Sequence, residues 1–199
     1  SNDSATHYRE IIAYNEAVQE AMNFVQQYPQ TTTLISLADH ETGGLTLGIQ
    51  HSHEDYPSYM WNPEVLWKVQ HSSFYLSHAI AKQLGEITGQ DTSAAYLRQT
   101  IFNEQLGIPQ PNETEIELIQ RAPTPLAREF ILNKIVNTRA RIGWTTHGHS
   151  GVDVNLYATG RGSEEFVGNW ENIQICGKIE KLLGLKVDKV TEKLQRVKK

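Results

Sequence analysis

The segment ADHETGG at positions 38–44 places a carboxylate, Asp39, directly before an imidazole, His40. It follows a β-rich, largely uncharged run at 31–38 that predicts a buried strand, and open α/β sheets bind ligands at the carboxyl ends of their strands. Side chains that are adjacent in a regular strand point to opposite faces, so the pair can share one ion only if the backbone turns there. The two glycines that follow favour such a turn. Zinc accepts this nitrogen and oxygen pair as ligands.

A second segment, THGHSGVDV at 146–154, carries His147 and His149 in a glycine-rich loop between two predicted strands. Histidine is the commonest metal ligand in proteins, although surface loops often carry histidines without one. The pair Asp39 and His40 is also compatible with a turn-capping carboxylate beside a locally hydrogen-bonded imidazole. The residues alone therefore leave both a metal site and a purely structural role open.

Taken together, the two segments resemble the zinc-ligand segments of alkaline phosphatases, with the fungal, vacuolar type the most similar. The order and rough spacing of the segments match that family. A helix at 14–18 (YNEAV) and the sequence GNWEN at 168–172 are also similar to it. The resemblance spans nearly the whole chain and is strongest at 1–50 and 142–196.

The resemblance implies a role for each candidate ligand. Asp39 and His40 match the pair that binds the zinc contacting the serine nucleophile, and His149 matches the histidine ligand of the second zinc. His147 is two residues early for that role and is expected in the wall of the site, as the first substitute if the loop register differs. The family uses two zinc ions per active site and a magnesium ion, whose ligands fall outside this chain.

The resemblance further implies hydrolysis of phosphate monoesters through a phosphoserine intermediate, in a homodimer located in the vacuole. No catalytic residue is expected in the chain itself, because the nucleophilic serine and the phosphate-binding arginine fall outside it. Residues 1–3 (SND) resemble those just after two further zinc ligands. We therefore expect 1–199 to be the C-terminal portion of a single phosphatase domain, inactive and poorly soluble on its own.

Two rival interpretations remain open at this point. Related phosphodiesterases, phosphomutases and sulfatases use a similar arrangement of aspartate and histidine on the same type of fold, and the upstream nucleophile would discriminate them. A chain of a different class, a non-catalytic binding module, could also retain the fold. Activity with and without a chelator would separate that module from an enzyme.

The elements that must position these residues predict an α/β fold, with a mostly parallel central sheet flanked by helices on both faces. Apolar periodicity and capping signals predict helices at 5–28, 62–84, 91–106, 113–121, 125–140 and 169–183, and a short basic helix from 188. Strands are predicted at 31–38, 142–145 and 152–158.

Composition narrows the class of protein. The net charge of −5 argues against a nucleic-acid or anionic membrane surface as partner, and no run is long and apolar enough to predict a transmembrane helix. Cys176 is the only cysteine, which excludes an intrachain disulfide, and its apolar neighbours predict a buried thiol. The histidine-rich stretch 51–55 is interpreted as a solvated loop. Triplets at 2–4 (NDS) and 112–114 (NET) are N-glycosylation signals, of a kind that often occurs by chance.

Overall fold

The computed structural model describes residues 2–50, 52–54, 56, 59–86 and 89–197. The chain divides into two compact units, one formed by Ser1–Ala13 and Thr42–Val152 and the other by Tyr14–Glu41 and Asp153–Lys199. The first helix, α1 (Ser4–Gln27), contributes residues to both units. Within the described ranges, no helix has the length and apolar character needed to cross a bilayer.

The first unit is mainly helical. Its helices are α2 (Glu64–Lys68), α3 (Ser73–Glu86), α4 (Gln90–Tyr96), which continues as a π-helix (Leu97–Gln105), α5 (Glu113–Arg121) and α6 (Pro125–Ala140). The short strand β2 (Glu41–Thr42) spans the point in the sequence where the chain passes from the second unit to the first. β3 (Thr46–Leu47) pairs antiparallel with β4 (Ile142–Gly143), and β5 (His149–Ser150) follows.

Local sequence signals explain where α5 and α6 begin. Asn112 caps α5, because its side chain accepts a hydrogen bond from the backbone N–H of Glu115 while the Glu115 carboxylate accepts one from the N–H of Asn112. Thr124 caps α6, and Pro125 takes the first helical position. Both helices have the predicted bounds.

The hydrophobic core lies in this first unit. Its largest fully buried apolar side chains include Phe102, Leu76, Ile80, Leu97 and Ile101. Burial of each such side chain contributes on the order of 1.5–3 kcal/mol. Most of this core comes from positions between 66 and 142.

The single helix predicted at 62–84 is wrong, because the chain forms two helices there. Val69 is extended after α2, and the N–H of Gln70 donates to the carbonyl of Gln105. A new helix, α3, begins at Ser73, whose N–H donates to the Asp3 carboxylate at 2.8 Å. The start of the second helix is thus stabilised by a residue 70 positions away, and apolar periodicity does not reveal such a contact.

The second unit contains β1 (Thr33–Leu37), β6 (Leu156–Gly160), a 3-10 turn (Ser163–Phe166), α7 (Asn172–Leu183) and α8 (Val187–Val197). β1 pairs with β6 antiparallel, with Ile35 opposite Ala158. The expected mostly parallel sheet is therefore not seen: among the described residues, both pairings with a defined register are antiparallel. β1 is also half-buried rather than buried. An apolar run indicates burial of a strand but not the direction of its neighbour.

The prediction of a buried thiol at Cys176 is wrong, because this side chain is exposed on α7. Ile175 is the buried position of the helix, whereas Ile173 is 87% exposed. One residue corresponds to a rotation of about 100° around a helix, so neighbours of a buried residue can face solvent. No disulfide partner exists within the chain, as expected from a single cysteine.

The ion pair between Glu115 and Arg139 joins α5 to α6 within the first unit. Both guanidinium Nη atoms donate to the carboxylate, at 2.6 and 2.8 Å, and the Glu115 side chain is only 12% exposed. Burial by itself raises the pKa of Glu115, but hydrogen bonds from Arg139 and the Asn112 N–H, with the Arg139 charge, outweigh it and lower the pKa.

Because the folded-state pKa lies below the unfolded value of about 4.3, this stabilisation is full above that pH and is lost as the pH falls through the folded-state pKa. We expect urea unfolding between pH 3 and 7 to show an acid-dependent loss of stability that Glu115→Gln reduces. The matched variant Glu117→Gln removes an exposed carboxylate on the same helix. It should show the same acid-dependent loss of stability as the wild type. Equal acid dependence in the wild type and Glu115→Gln would contradict this assignment.

Candidate functional site

Strand β1 ends at Leu37, and the chain bends at Asp39 and His40. This bend is the departure from regular strand geometry that a shared ion requires. It brings the two side chains together, with His40 Nε2 3.3 Å from Asp39 Oδ2. Asp39 is 84% exposed and His40 36% exposed, so both groups are accessible from solvent.

The hydrogen bond made by the other ring nitrogen of His40 determines the tautomer of its neutral ring. His40 Nδ1 lies 3.0 Å from the backbone carbonyl of Glu41, and since a carbonyl only accepts, Nδ1 carries the proton of this hydrogen bond. In the neutral ring, Nε2 then directs its lone pair towards the Asp39 carboxylate. Two electron-rich atoms at this distance are stabilised by a cation between them, either a proton or a metal ion. Metal-binding histidines commonly donate their second nitrogen to a carbonyl in this way.

The start of α7 supports this bend. Asn172, the first residue of α7, donates through Nδ2 to the backbone carbonyl of Asp39 at 3.4 Å. The start of α7 is itself fixed by Glu171 and Gln174, which form a reciprocal capping box. The sequence GNWEN at 168–172 therefore helps to position the Asp39 backbone within the second unit.

The histidine loop lies in the first unit. His147 is exposed, and its ring stacks on Phe130 with centroids 4.1 Å apart and planes at 17°. His147, Phe130 and Trp144 line a cleft of about 400 Å³. His149 is an exposed residue of β5. Because Asp39 and His40 belong to the second unit, the convergence of His149 with them stays a prediction.

A chain of hydrogen bonds holds this loop. Asn137 of α6 donates through Nδ2 to the carbonyl of Asn2 at 2.8 Å, in a buried contact. Asn2 in turn donates through Nδ2 to the carbonyl of Thr146 at 3.2 Å. The N–H of Gly43 donates to the carbonyl of Gly148, and the N–H of Thr145 to the carbonyl of Gly43, both at 2.8 Å. The loop that carries both histidines is thus tied to α6 and to the turn at Gly43.

Asn2 and Asn137 are positioning residues that the sequence analysis missed. A signal was present in α6, where Glu129, Asn133 and Asn137 recur every four residues on the buried face of the helix. Polar residues on a buried helical face require hydrogen-bond partners, which here include the Asn2 backbone. Their identity could not be read from the sequence, since Asn2 lies 135 positions away.

Within the described ranges, no group of three or more histidine, cysteine, aspartate or glutamate side chains is arranged to hold a metal ion. Within the second unit the structure brings Asp39 and His40 together. Three protein ligands are usual for catalytic zinc, so this pair alone would not complete such a site. In the stretch 51–55, His51 and Asp55 lie outside the described residues.

Gly43 is required at the turn beside the histidine loop. Its φ of +78° is a conformation that favours glycine, and an added Cβ would overlap the Trp144 ring. We expect Gly43→Ala to lower the free energy of unfolding by about 2 kcal/mol, combining backbone strain of about 1–3 kcal/mol with the overlap. Urea denaturation measures this. Gly85→Ala, in a helix and with open space around it, should instead stabilise by about 0.5–1 kcal/mol. Similar effects of both substitutions would refute the packing argument.

Comparison with known proteins identifies the family. The alkaline phosphatase family model matches residues 1–185. The chain is 41% identical to an alkaline phosphatase of Schizosaccharomyces pombe over 98% of its own length and 35% of that protein. It is 35% identical to the repressible alkaline phosphatase of Saccharomyces cerevisiae, over 99% of the chain and 36% of that protein.

A solved structure shows the same relationship. The cold-active alkaline phosphatase from a psychrophilic Shewanella matches with a TM-score of 0.70 and 32% identity, over 92% of this chain and 41% of that one. The chain spans about a third of the length of the curated relatives named above. The match over 185 residues, which includes Asp39, His40 and His149, shows that the chain belongs to the alkaline phosphatase family.

Proposed function

We propose that the full-length protein is a zinc-dependent alkaline phosphatase that hydrolyses phosphate monoesters through a phosphoserine intermediate. In this proposal residues 1–199 are the C-terminal portion of a single domain with a mostly parallel central sheet. The family match and the coverage of about a third of each relative support it. The nucleophilic serine, the phosphate-binding arginine and the magnesium ligands then belong to the remainder of that domain.

The observation that carries the proposal is the pairing of Asp39 and His40 at the bend after β1. A carboxylate oxygen 3.3 Å from an imidazole nitrogen, with the second nitrogen on a carbonyl, is a donor set that fits a divalent zinc ion. We propose that these two residues bind one zinc and that His149 binds the second. When bound, the two ions would stabilise the charge that develops on the attacking and leaving oxygens.

The chain's own residues would orient those ligands. The hydrogen bond from His40 Nδ1 to the Glu41 carbonyl selects the tautomer in which Nε2 is free of a proton. Asn172 supports the Asp39 backbone, and the contacts from Asn137 through Asn2 to Thr146 support the loop of His149. His147 stacks on Phe130 and lines the cleft of the first unit, and we propose that it belongs to the wall of the site.

An apolar surface in the second unit also supports the proposal that the chain is part of a larger domain. A groove of about 390 Å³ lies between α1 and the β1–β6 pair, lined by Val18, Met22, Leu34 and Tyr157 among others. Soluble proteins seldom leave such surfaces uncovered. In the proposal the remainder of the domain covers this groove and continues the sheet from β1.

The test compares the 199-residue chain with the same chain joined to the coding sequence that precedes it. We expect the longer protein to hydrolyse p-nitrophenyl phosphate, to lose activity with a chelator and to regain it with zinc. The shorter chain should bind zinc weakly in equilibrium dialysis and show no turnover. Full activity of the shorter chain, or chelator-resistant activity of the longer one, would overturn the proposal.

Location and assembly are part of the same proposal. We propose a vacuolar homodimer, on the basis of the similarity to fungal relatives. Fluorescence microscopy of a tagged full-length protein tests the location, and sedimentation equilibrium tests the dimer. A cytosolic signal or a monomer at micromolar concentration would contradict the respective part.

A further inference from the structure

The two N-glycosylation triplets, at 2–4 and 112–114, lie in opposite environments in the folded chain. Glycosylation joins a sugar to the side-chain nitrogen of asparagine and produces a bulky, solvated group. A site in the folded protein therefore needs an exposed asparagine whose Nδ2 is not required elsewhere. The structure allows each triplet to be tested against this requirement.

Asn2 does not meet the requirement for an exposed asparagine whose Nδ2 is not needed elsewhere. The residue is only 8% exposed, and its Nδ2 donates to the carbonyl of Thr146. Its backbone carbonyl accepts the buried hydrogen bond from Asn137. A sugar on Nδ2 would have to displace the Thr146 loop, so a chain glycosylated at Asn2 could not adopt this fold.

Asn112 meets it. The residue is exposed at the start of α5, as are Glu113 and Thr114. Its Oδ1 accepts the capping hydrogen bond from the N–H of Glu115 at 2.8 Å. Among the described residues, no acceptor is hydrogen-bonded to its Nδ2. A substituted amide keeps its carbonyl oxygen, so the cap of α5 survives the modification.

We propose that the folded protein carries an N-linked glycan at Asn112 and none at Asn2. The co-substrate is an oligosaccharide linked through its C1 carbon to a polyprenyl diphosphate. The bond from Asn112 Nδ2 to C1 forms as the bond from C1 to the phosphate oxygen breaks. The polyprenyl diphosphate leaves with that electron pair, and Nδ2 gives up one proton to the transferring enzyme.

The assignment rests on the vacuolar location proposed above and is independent of phosphatase activity. Transfer takes place on chains entering the lumen, before folding is complete. Modification at Asn2 would consequently remove molecules from the folded pool, whereas modification at Asn112 would not. The folded fraction is the one that distinguishes the two triplets.

The experiment expresses the full-length protein behind a signal peptide in a eukaryotic secretory host and maps glycopeptides of the folded fraction by mass spectrometry. We expect one glycan, on Asn112, and a matching endoglycosidase-sensitive shift in mobility. Thr114→Ser, which keeps the hydroxyl of the triplet, should retain the glycan, and Thr114→Ala should lose it while leaving the Asn112 cap intact. An unmodified Asn112 in the wild type, or a glycan on Asn2 in the folded fraction, would overturn the proposal.

Discussion

Replacing His40 by alanine in the full-length protein is expected to lower kcat/KM for p-nitrophenyl phosphate by about 10³-fold or more. Loss of an outer partner of a metal ligand already costs about 10–100-fold in affinity or activity, and the proposal places His40 among the ligands themselves. Asp39→Ala should have a similar effect, because the two side chains form one donor set with 3.3 Å between them. Steady-state kinetics measured with excess zinc provides the test.

A matched control separates loss of a ligand from loss of any histidine. His53 is an exposed residue outside the proposed site, so His53→Ala should leave kcat/KM unchanged. Circular dichroism should show that His40→Ala remains folded, and its zinc content should fall by one ion per active site. A His40→Ala enzyme with wild-type zinc content and wild-type kinetics would remove His40 from the metal site.

The two halves of the proposed site differ in how much of them the sequence could reveal. The bend at Asp39 and His40 is encoded locally, by a strand that ends before a polar pair and two glycines. The support for the histidine loop is not local. It depends on Asn137 and Asn2, which meet only after residues 135 positions apart have packed together. Spacing along the chain carries no information about such a contact.

The fold, like the proposed site, combines features that are encoded locally with features that depend on long-range contacts. α5 and α6 have the predicted bounds because their caps, at Asn112 and Thr124, lie beside the helices in sequence. The interruption between α2 and α3 was missed because its cap comes from Asp3. The antiparallel pairing of β1 was missed because an apolar run gives no strand direction. Local sequence signals thus predicted the ends of α5 and α6. The break between α2 and α3 and the direction of β1 depend on contacts with residues far away in the sequence.

Asp3→Ala is expected to destabilise the first unit by about 3 kcal/mol, because this carboxylate begins two helices at once. Its Oδ1 accepts from the N–H of Thr6 in α1, and its Oδ2 accepts from the N–H and hydroxyl of Ser73 at the start of α3. Loss of one cap costs about 0.5–2 kcal/mol, and donors left unsatisfied in the interior cost about 1–3 kcal/mol. Ser73 is 6% exposed, so water does not readily replace the carboxylate.

The conservative change Asp3→Asn sharpens this test, since an amide keeps one acceptor for Thr6 but presents N–H groups to the Ser73 donors. We expect a loss of about 2 kcal/mol in urea denaturation, against less than about 0.5 kcal/mol for Asp91→Asn, an exposed first-turn acid of α4. A double-mutant cycle with Ser73→Ala should give a coupling of about 1 kcal/mol or more. Additive effects would mean that the carboxylate does not join the two helices. Because Asp3 follows Asn2 directly, substitution of Asp3 should also loosen the hydrogen bond from Asn2 to the Thr146 carbonyl, which supports the loop of His149.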